Sequence, residues 1–400
     1  MEALGQDEPV STVRGLQRMR PRDPEDRSRG ASGLDLFFDL VFVIAVSVMS
    51  AQLGGLEESG RLAAAASAYL LAFVTVWWAW VNFTWFASAF DTDDWLYRLV
   101  TVVQMAGVLV LASGVPAAMH EADWRLATVG YVVMRLAMVS QWLRAAVDDR
   151  ATRATAVRYA VGITAVQILW VLRLLLSPGP LFVSGFFALL ALELLVPVWA
   201  ERAHGTPFNR SHIAERYRLF TLILLGEGLL GVATSIFSAL QEHHELTKLL
   251  VTAASALVIV AGMWWIYFSR DQDEQLRSFR SAFAFSQLHY VIFAAAGAVA
   301  AGIEVAVQAV EDPESLRGPV AAACTTVPLA VFLLGVWLAV LRTALPRWTS
   351  AVLLVLVVAT GFTALAPVPL ATAAVLTAGI VAVLEFVGLR RCPKSEDYLG

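Results

Sequence analysis

Apolar residues run through this chain in long stretches from residue 34 to residue 390, broken at short intervals by a few polar residues, glycines or prolines. A helix needs about 20 mainly apolar residues to cross a bilayer. Windows of that kind succeed one another at 34–53, 62–89, 95–119, 124–147, 155–176, 180–200, 216–240, 247–268, 281–308, 318–342, 349–366 and 368–390. The pattern predicts an all-α polytopic membrane protein with about twelve transmembrane helices. The last two windows meet at Ala366-Pro367-Val368-Pro369 and are read as a hairpin or one broken pair.

Basic residues test that count independently, because Lys and Arg collect in cytoplasmic loops. Of the 29 Lys and Arg, 23 fall on the side that holds both termini when twelve spans are threaded. Arg61, Arg125, Lys248 and Arg317 fall on the other side, and Arg135 and Arg173 lie within spans. Adding or removing one central helix would destroy this alternation, so both termini are expected to be cytoplasmic.

Composition narrows the classes further. Hydrophobic residues make up 58% and charged residues 16%, with a mean hydropathy of +0.67, which lies outside the soluble globular range. The net charge of −4 is small and dispersed, so no nucleic-acid partner is implied; the lipid bilayer is the expected partner. Residues 1–33 carry six Arg and six acidic residues with little apolar content and are read as a mobile cytoplasmic tail. They lack the apolar core of a cleavable signal peptide, so the first span is expected to serve as the insertion signal. Residues 392–400 form the expected C-terminal tail. Cys324 lies in the tenth span and Cys392 beyond the last, on the other side of the bilayer, without metal-ligand company, so neither a disulfide, a metal nor another cofactor is expected.

An internal repeat is legible at an offset of 187 residues. "VWWAWVNFTWFASAFDTDDWLYRLV" (76–100) and "MWWIYFSRDQDEQLRSF" (263–279) both end a helix on paired tryptophans and pass into an acidic loop. Nearly the same offset carries Asp39 to Glu227, each followed eight residues later by a serine. The expected organisation is therefore two parallel six-helix repeats, 34–200 and 216–391, joined by a cytoplasmic linker at 201–215.

Ionisable groups inside spans are costly and mark ion or substrate paths. Asp35 starts the first span, where a carboxylate caps a helix; Asp39 lies one turn deeper on the same face and is read either as a buried network residue or as an extended cap. In "SHIAERYRLFTLILLGEGLLG" (211–231), His212, Glu215 and Arg216 share one face as an interfacial network, and the glycines beside Glu227 would permit close helix approach or a local break. Arg216 shares a stripe with Glu227, but about 16 Å of helix rise separates them. Arg135 and Glu193 sit near the middle of their spans as a candidate pair, and His289 lies two turns into its span, as a core histidine or a proton carrier. Arg173, Glu304 and Glu385 lie near helix ends, where snorkelling is expected.

"LFFDLVFV", "HIAERYRLFTLILLGE", "WWIYF" and "LHY" together resemble the bacterial low temperature requirement A (LtrA) family, from about residue 34 to about 390. The resemblance points to Asp39, His212, Glu215, Arg216, Glu227, Trp264, Trp265 and His289, while Gly228 replaces an expected small hydroxyl residue. It implies a multi-spanning inner-membrane protein and supplies no biochemical activity. Carboxylates at matching places favour a transporter of a small ion or solute with proton coupling. "FFDLVFVIAV" also resembles the Phe-Ser-Asp signature of lysosomal and prokaryotic potassium channels, with Phe38 in place of the serine, which keeps an ion channel as the alternative. A membrane-embedded enzyme using His212, Glu215, Glu227 and His289 ranks below both, since no HExxH or GxSxG motif is present; no catalytic residue is assigned.

Overall fold

A computed structural model describes residues 16–24, 30–177, 179–242, 246–272, 276, 278–311 and 318–391. Cys392, the C-terminal tail, Arg317 and much of the expected N-terminal tail lie outside the described residues. The long apolar windows become helices almost residue for residue: α1 (Gly33–Glu58), α2 (Leu62–Ala89), α3 (Trp95–Glu121), α4 (Arg125–Asp148), α5 (Arg153–Arg173), α6 (Pro180–Ala200), α7 (Arg210–Glu242), α8 (Leu246–Phe268) and α9 (Phe279–Glu311). The tenth window forms α10 (Gly318–Val336), a π turn over Trp337–Leu341 and the short α11 (Arg342–Ala344). The last two windows are separate helices, α12 (Arg347–Phe362) and α13 (Pro369–Arg391), divided by a 3-10 turn at Thr363–Leu365 before the two prolines. Among the described residues, eleven helices are long and apolar enough to cross a membrane, and the 33-residue α7 is a further long helix. This is an all-α polytopic membrane protein.

Contacts divide the chain into two compact units. The first comprises Met1–Phe42 and Trp78–Arg216, the second Val43–Trp77 and Tyr217–Gly400. The divisions fall inside α1, α2 and α7, so the units do not coincide with the sequential halves 34–200 and 216–391 read from the repeat.

Within the first unit, α3 and α4 approach most closely. A Cβ on Gly130 would overlap the backbone of Leu111 and Gly107, and one on Gly114 would overlap Leu126 and Ala127. Within the second, a Cβ on Gly302 of α9 would overlap the backbone of Cys324 and Thr325 on α10. Small residues let membrane helices meet backbone to backbone, where dispersion replaces the hydrophobic effect as the source of cohesion. Gly226, by contrast, has nothing within 4 Å of a would-be Cβ, and Gly228 meets only Ala300 Cβ at 3.6 Å and Val260 Cγ2 at 4.0 Å. The glycines beside Glu227 therefore do not mediate the close approach expected of them.

Residues 16–24 also depart from the expected tail. They form a strap on the first unit. Arg20 and Pro21 (β1) pair antiparallel with Phe90 and Asp91 (β2), with Arg20 opposite Asp91 and Pro21 opposite Phe90. Arg22 N donates to Ala89 O at 2.8 Å, Gln17 N to Asp94 Oδ2 at 2.9 Å, and Met19 N to Asp148 Oδ2 at 3.0 Å. Polar composition misled here because the strap is ordered by main-chain bonds to loop carboxylates, with Met19 as its one buried apolar anchor.

Candidate functional site

The site begins at two helix starts in the first unit. Ser32 caps α1 through a reciprocal pair: Asp35 N donates to Ser32 Oγ at 3.2 Å, and Ser32 N donates to Asp35 Oδ2 at 2.9 Å. This is a capping box with Asp at its third position. Asn209 caps α7 by accepting from His212 N at 2.9 Å. One turn into each helix the polar residues recur at i and i+4, giving Asp35 and Asp39 on α1, and His212 and Arg216 on α7.

These two pairs interlock. Arg216 Nη1 donates to Asp35 Oδ1 at 2.7 Å, while its Nε and Nη2 form a fork on Asp39, with Nε to Oδ2 at 3.2 Å and Nη2 to Oδ1 at 2.5 Å. Trp80 Nε1 of α2 also donates to Asp39 Oδ1, at 2.7 Å. Phe38, Trp80 and Phe83 place their rings 5.4–5.8 Å from the guanidinium carbon, within cation–π range. Arg216, Asp39 and His212 are each 0% exposed. His212 Nε2 lies 3.4 Å from Asp35 Oδ2, and its buried Nδ1 has no hydrogen-bond partner among the described residues. An ionised carboxylate only accepts, so Nε2 carries a proton. A second proton on Nδ1 would leave a buried N–H unmade, at about 1–3 kcal/mol. With His212 neutral, Asp35, Asp39 and Arg216 together carry one formal negative charge.

Glu215, on the same turn, points to the chain before α1. It accepts from Ala31 N at 2.9 Å, and both its carboxylate oxygens lie 2.8 Å from where a Cβ on Gly30 would stand. Close approach there requires glycine.

A second buried cluster in the same unit is built on Glu193 of α6. Arg135 Nη2 donates to its Oε2 at 2.6 Å, Trp78 Nε1 to Oε2 at 3.1 Å, and Gln167 Nε2 to Oε1 at 2.7 Å. Arg135 and Glu193 are each 1% exposed. The pair is charge-balanced, although Arg135 Nε and Nη1 find no hydrogen-bond partner among the described residues.

A family model for the bacterial low temperature requirement A protein matches residues 30–386, a span that includes every residue of both clusters. The chain belongs to the LtrA family. It is also 31% identical over 255 residues to an uncharacterized protein, RA0937, of Rhizobium meliloti (strain 1021), a match covering 61% of this chain and 59% of that relative. The aligned region thus spans about three fifths of the relative's length.

The other motif residues of this LtrA-family chain lie apart from these clusters. Glu227 belongs to the second unit, half-buried, and makes no hydrogen bond or ion pair among the described residues. His289, 0% exposed, sits among aromatic rings of the second unit, with Tyr217 at 4.7 Å and Phe285 at 4.1 Å. Its Nδ1 is 2.8 Å from Phe285 O, a carbonyl that only accepts, so Nδ1–H donates, while Nε2 lies 3.0 Å from the Tyr267 hydroxyl. Trp264 and Trp265 lie on the surface, and Trp265 Nε1 donates to Glu385 at 2.8 Å. Arg173 does not snorkel outward: it is buried, with its guanidinium carbon 3.6 Å from the Phe182 ring centre and its Nε donating to Phe182 O at 3.0 Å.

Sequence reasoning missed Trp80, Trp78 and Gln167 as carboxylate donors. The tryptophans read as packing or interfacial residues. Gln167, a lone amide in the apolar window 155–176, was the available signal. Asp35, read as a cap alone, both caps α1 and binds Arg216. Among the described residues no group of three or more His, Cys, Asp and Glu is placed to hold a metal ion.

Proposed function

We propose that this LtrA-family protein is a secondary transporter of a small ion or solute in the bacterial inner membrane, with both termini cytoplasmic and with proton coupling at the Asp35–Asp39–Arg216 cluster. The observation that carries this reading is the charge imbalance of a fully buried cluster. Buried carboxylates are retained at a cost of several kcal/mol per ion unless paired, and here the three side chains together carry one formal negative charge. A proton or a cation taken up beside Asp39 completes neutrality, and its release restores the imbalance, so occupancy of the cluster is chemically tied to movement of positive charge. Glu227, a lone half-buried carboxylate, is proposed as a second protonation site. Two parallel six-helix repeats belong to the same proposal, supported by the offset that relates Asp39 to Glu227. The arginine asymmetry supports the orientation, and no enzymatic role is assigned.

The test uses purified protein in liposomes loaded with a pH-sensitive dye, challenged with gradients of alkali cations and small amines. Solute-driven proton movement is expected in the wild type. It should be lost in Asp39→Asn that still elutes as a folded species, and reduced in Glu227→Gln. Equal proton movement in wild type and Asp39→Asn would overturn the coupling role.

A further inference from the structure

Among the described residues three arginines are buried, Arg135, Arg173 and Arg216, all in the first unit. Two are neutralised within the chain, Arg135 by Glu193 and Arg216 by Asp35 and Asp39. Arg173, the last residue of α5, makes no ion pair among the described residues, and no other charged side chain acts on it. Its guanidinium carbon stands 3.6, 5.3 and 5.5 Å from the ring centres of Phe182, Phe186 and Trp170. These rings lie within cation–π range but carry no net charge. Its hydrogen bond runs from Nε to Phe182 O, a neutral carbonyl. Nη1 is buried without a partner, whereas Nη2, also unbonded, is not closed off and is the edge of the cation that a ligand can meet. A buried cation held only by neutral groups keeps much of its desolvation cost, which a counter-charge from outside the chain would offset.

The surroundings decide which anion is at hand. Residues 174–192 carry no charged side chain. The turn between α5 and α6 presents leucines outward, Leu175 at 80% exposure and Leu181 at 67%. Both helices are long and apolar enough to cross a membrane, so this turn lies where hydrocarbon gives way to headgroups. On the neighbouring turn, whose Trp124 ring lies 5.4 Å from Phe186, Asp123 is engaged by Arg125 through N at 3.0 Å and Nε at 3.9 Å. An inorganic anion would have to leave water for a leucine-coated surface, whereas a phospholipid carries its phosphate there on chains that suit the leucines. The headgroup must be net negative, since an internally neutral one would bring a second cation to Arg173.

We propose that the α5–α6 turn binds a net-anionic phospholipid of the phosphatidylglycerol type, its phosphate bonded to Arg173 Nη2 and its acyl chains lying along the exposed leucines. The lipid supplies the counter-charge that Glu193 and Asp39 supply to the other two buried arginines. The site is independent of the transport reading.

The experiment places the full-length protein in nanodiscs of equal phosphatidylglycerol and phosphatidylcholine, with a trace of either lipid carrying a diazirine near its glycerol backbone. After irradiation, adducts on residues 174–192 are quantified by mass spectrometry. The phosphatidylglycerol probe should label this peptide about fivefold more than the phosphatidylcholine probe, the scale of one arginine–headgroup attraction. Arg173→Lys should keep most of the preference and Arg173→Met should lose it. Gly185→Asp tests the charge without removing the arginine: a Cβ there would stand 3.8 Å from Arg173 Cδ and 3.9 Å from its Nε, in ordinary contact. The new carboxylate can therefore reach the guanidinium, and the labelling ratio should fall to about one, the value for no net headgroup attraction. Equal labelling by the two probes in the wild type, or an undiminished preference in Gly185→Asp or in folded Arg173→Met, would overturn the site. A preference removed by sodium chloride but kept in sodium gluconate of equal ionic strength would assign the counter-charge to a small anion and overturn the lipid.

Discussion

Arg216 meets two carboxylates with three of its nitrogens, in a fork that a lysine ammonium cannot reproduce. Removing one partner of a buried ion pair strands the other and costs about 3–5 kcal/mol. Arg216→Ala should therefore lower the unfolding midpoint strongly, and adding Asp39→Asn should recover part of the loss, because Asp35 keeps its bonds from Ser32. Thermal unfolding of both variants and the double variant checks this; strictly additive losses would contradict the coupling. The residues of this cluster were only partly legible beforehand. His212, Glu215 and Arg216 stand out because charges at helical spacing in an apolar chain are rare. Trp80 and the pairing of Arg216 with Asp39 were not, because partners 41 and 177 positions apart are chosen by packing. A titratable group outside the spans makes a second prediction. Burial raises the Asp94 carboxyl, but the Arg144 hydrogen bond and the amides of Tyr97 and Gln17 outweigh it, so its pKa lies below the ordinary value of 3.8. A lowered carboxyl contributes stability fully above the ordinary value, and that contribution is lost as pH falls through the lowered one. Proteolysis of the strap should accordingly increase in strongly acidic buffer below about pH 4, and Asp94→Asn should show the cut strap already at neutral pH.

At the scale of elements, helix lengths follow from hydropathy, whereas helix contacts follow from side-chain size. The windows predicted α1 to α9 to within about six residues at each end, because a bilayer sets a minimum apolar length for a spanning helix. The π turn at Trp337–Leu341 needed the structure, since hydropathy is blind to hydrogen-bond register. The glycines divide into those under backbone contact and those in open space. Gly302→Ala and Gly130→Ala should each destabilise by about 1–3 kcal/mol or more through overpacking. Gly226→Ala should be neutral or slightly stabilising, since nothing opposes its Cβ and Gly is the poorer helix former. Unfolding midpoints of the three variants, measured side by side, separate these outcomes; equal effects would deny the packing argument.

For the whole molecule, the arginine distribution assigns sides to the loops. Single cysteines near Arg61, Glu121, Glu242 and Pro313 should react with impermeant reagents from outside intact cells, and those near Asp93, Asp149, Gly205 and Glu274 should not. Labelling of the second group would invert or break the map. The twelve-window reading carried the class of the protein because composition at this scale averages over local exceptions. The division into compact units escaped it, since contact boundaries inside α1, α2 and α7 leave no trace in composition.

The strap gives the chain an unusual order of assembly. Residues 16–24 leave the ribosome before α1, yet their anchors, Ala89, Asp94, Asp148 and the Asn209 amide that holds Asp23 O, are made progressively later. The head of the protein must wait outside the membrane while α1 to α6 are inserted, and it is fastened only when the start of α7 appears. A nascent chain stopped after residue 140 would carry a strap with its first two anchors and without its last two. A segment translated ahead of α1 is therefore locked after α6, so the strap's closure marks completion of the unit it covers.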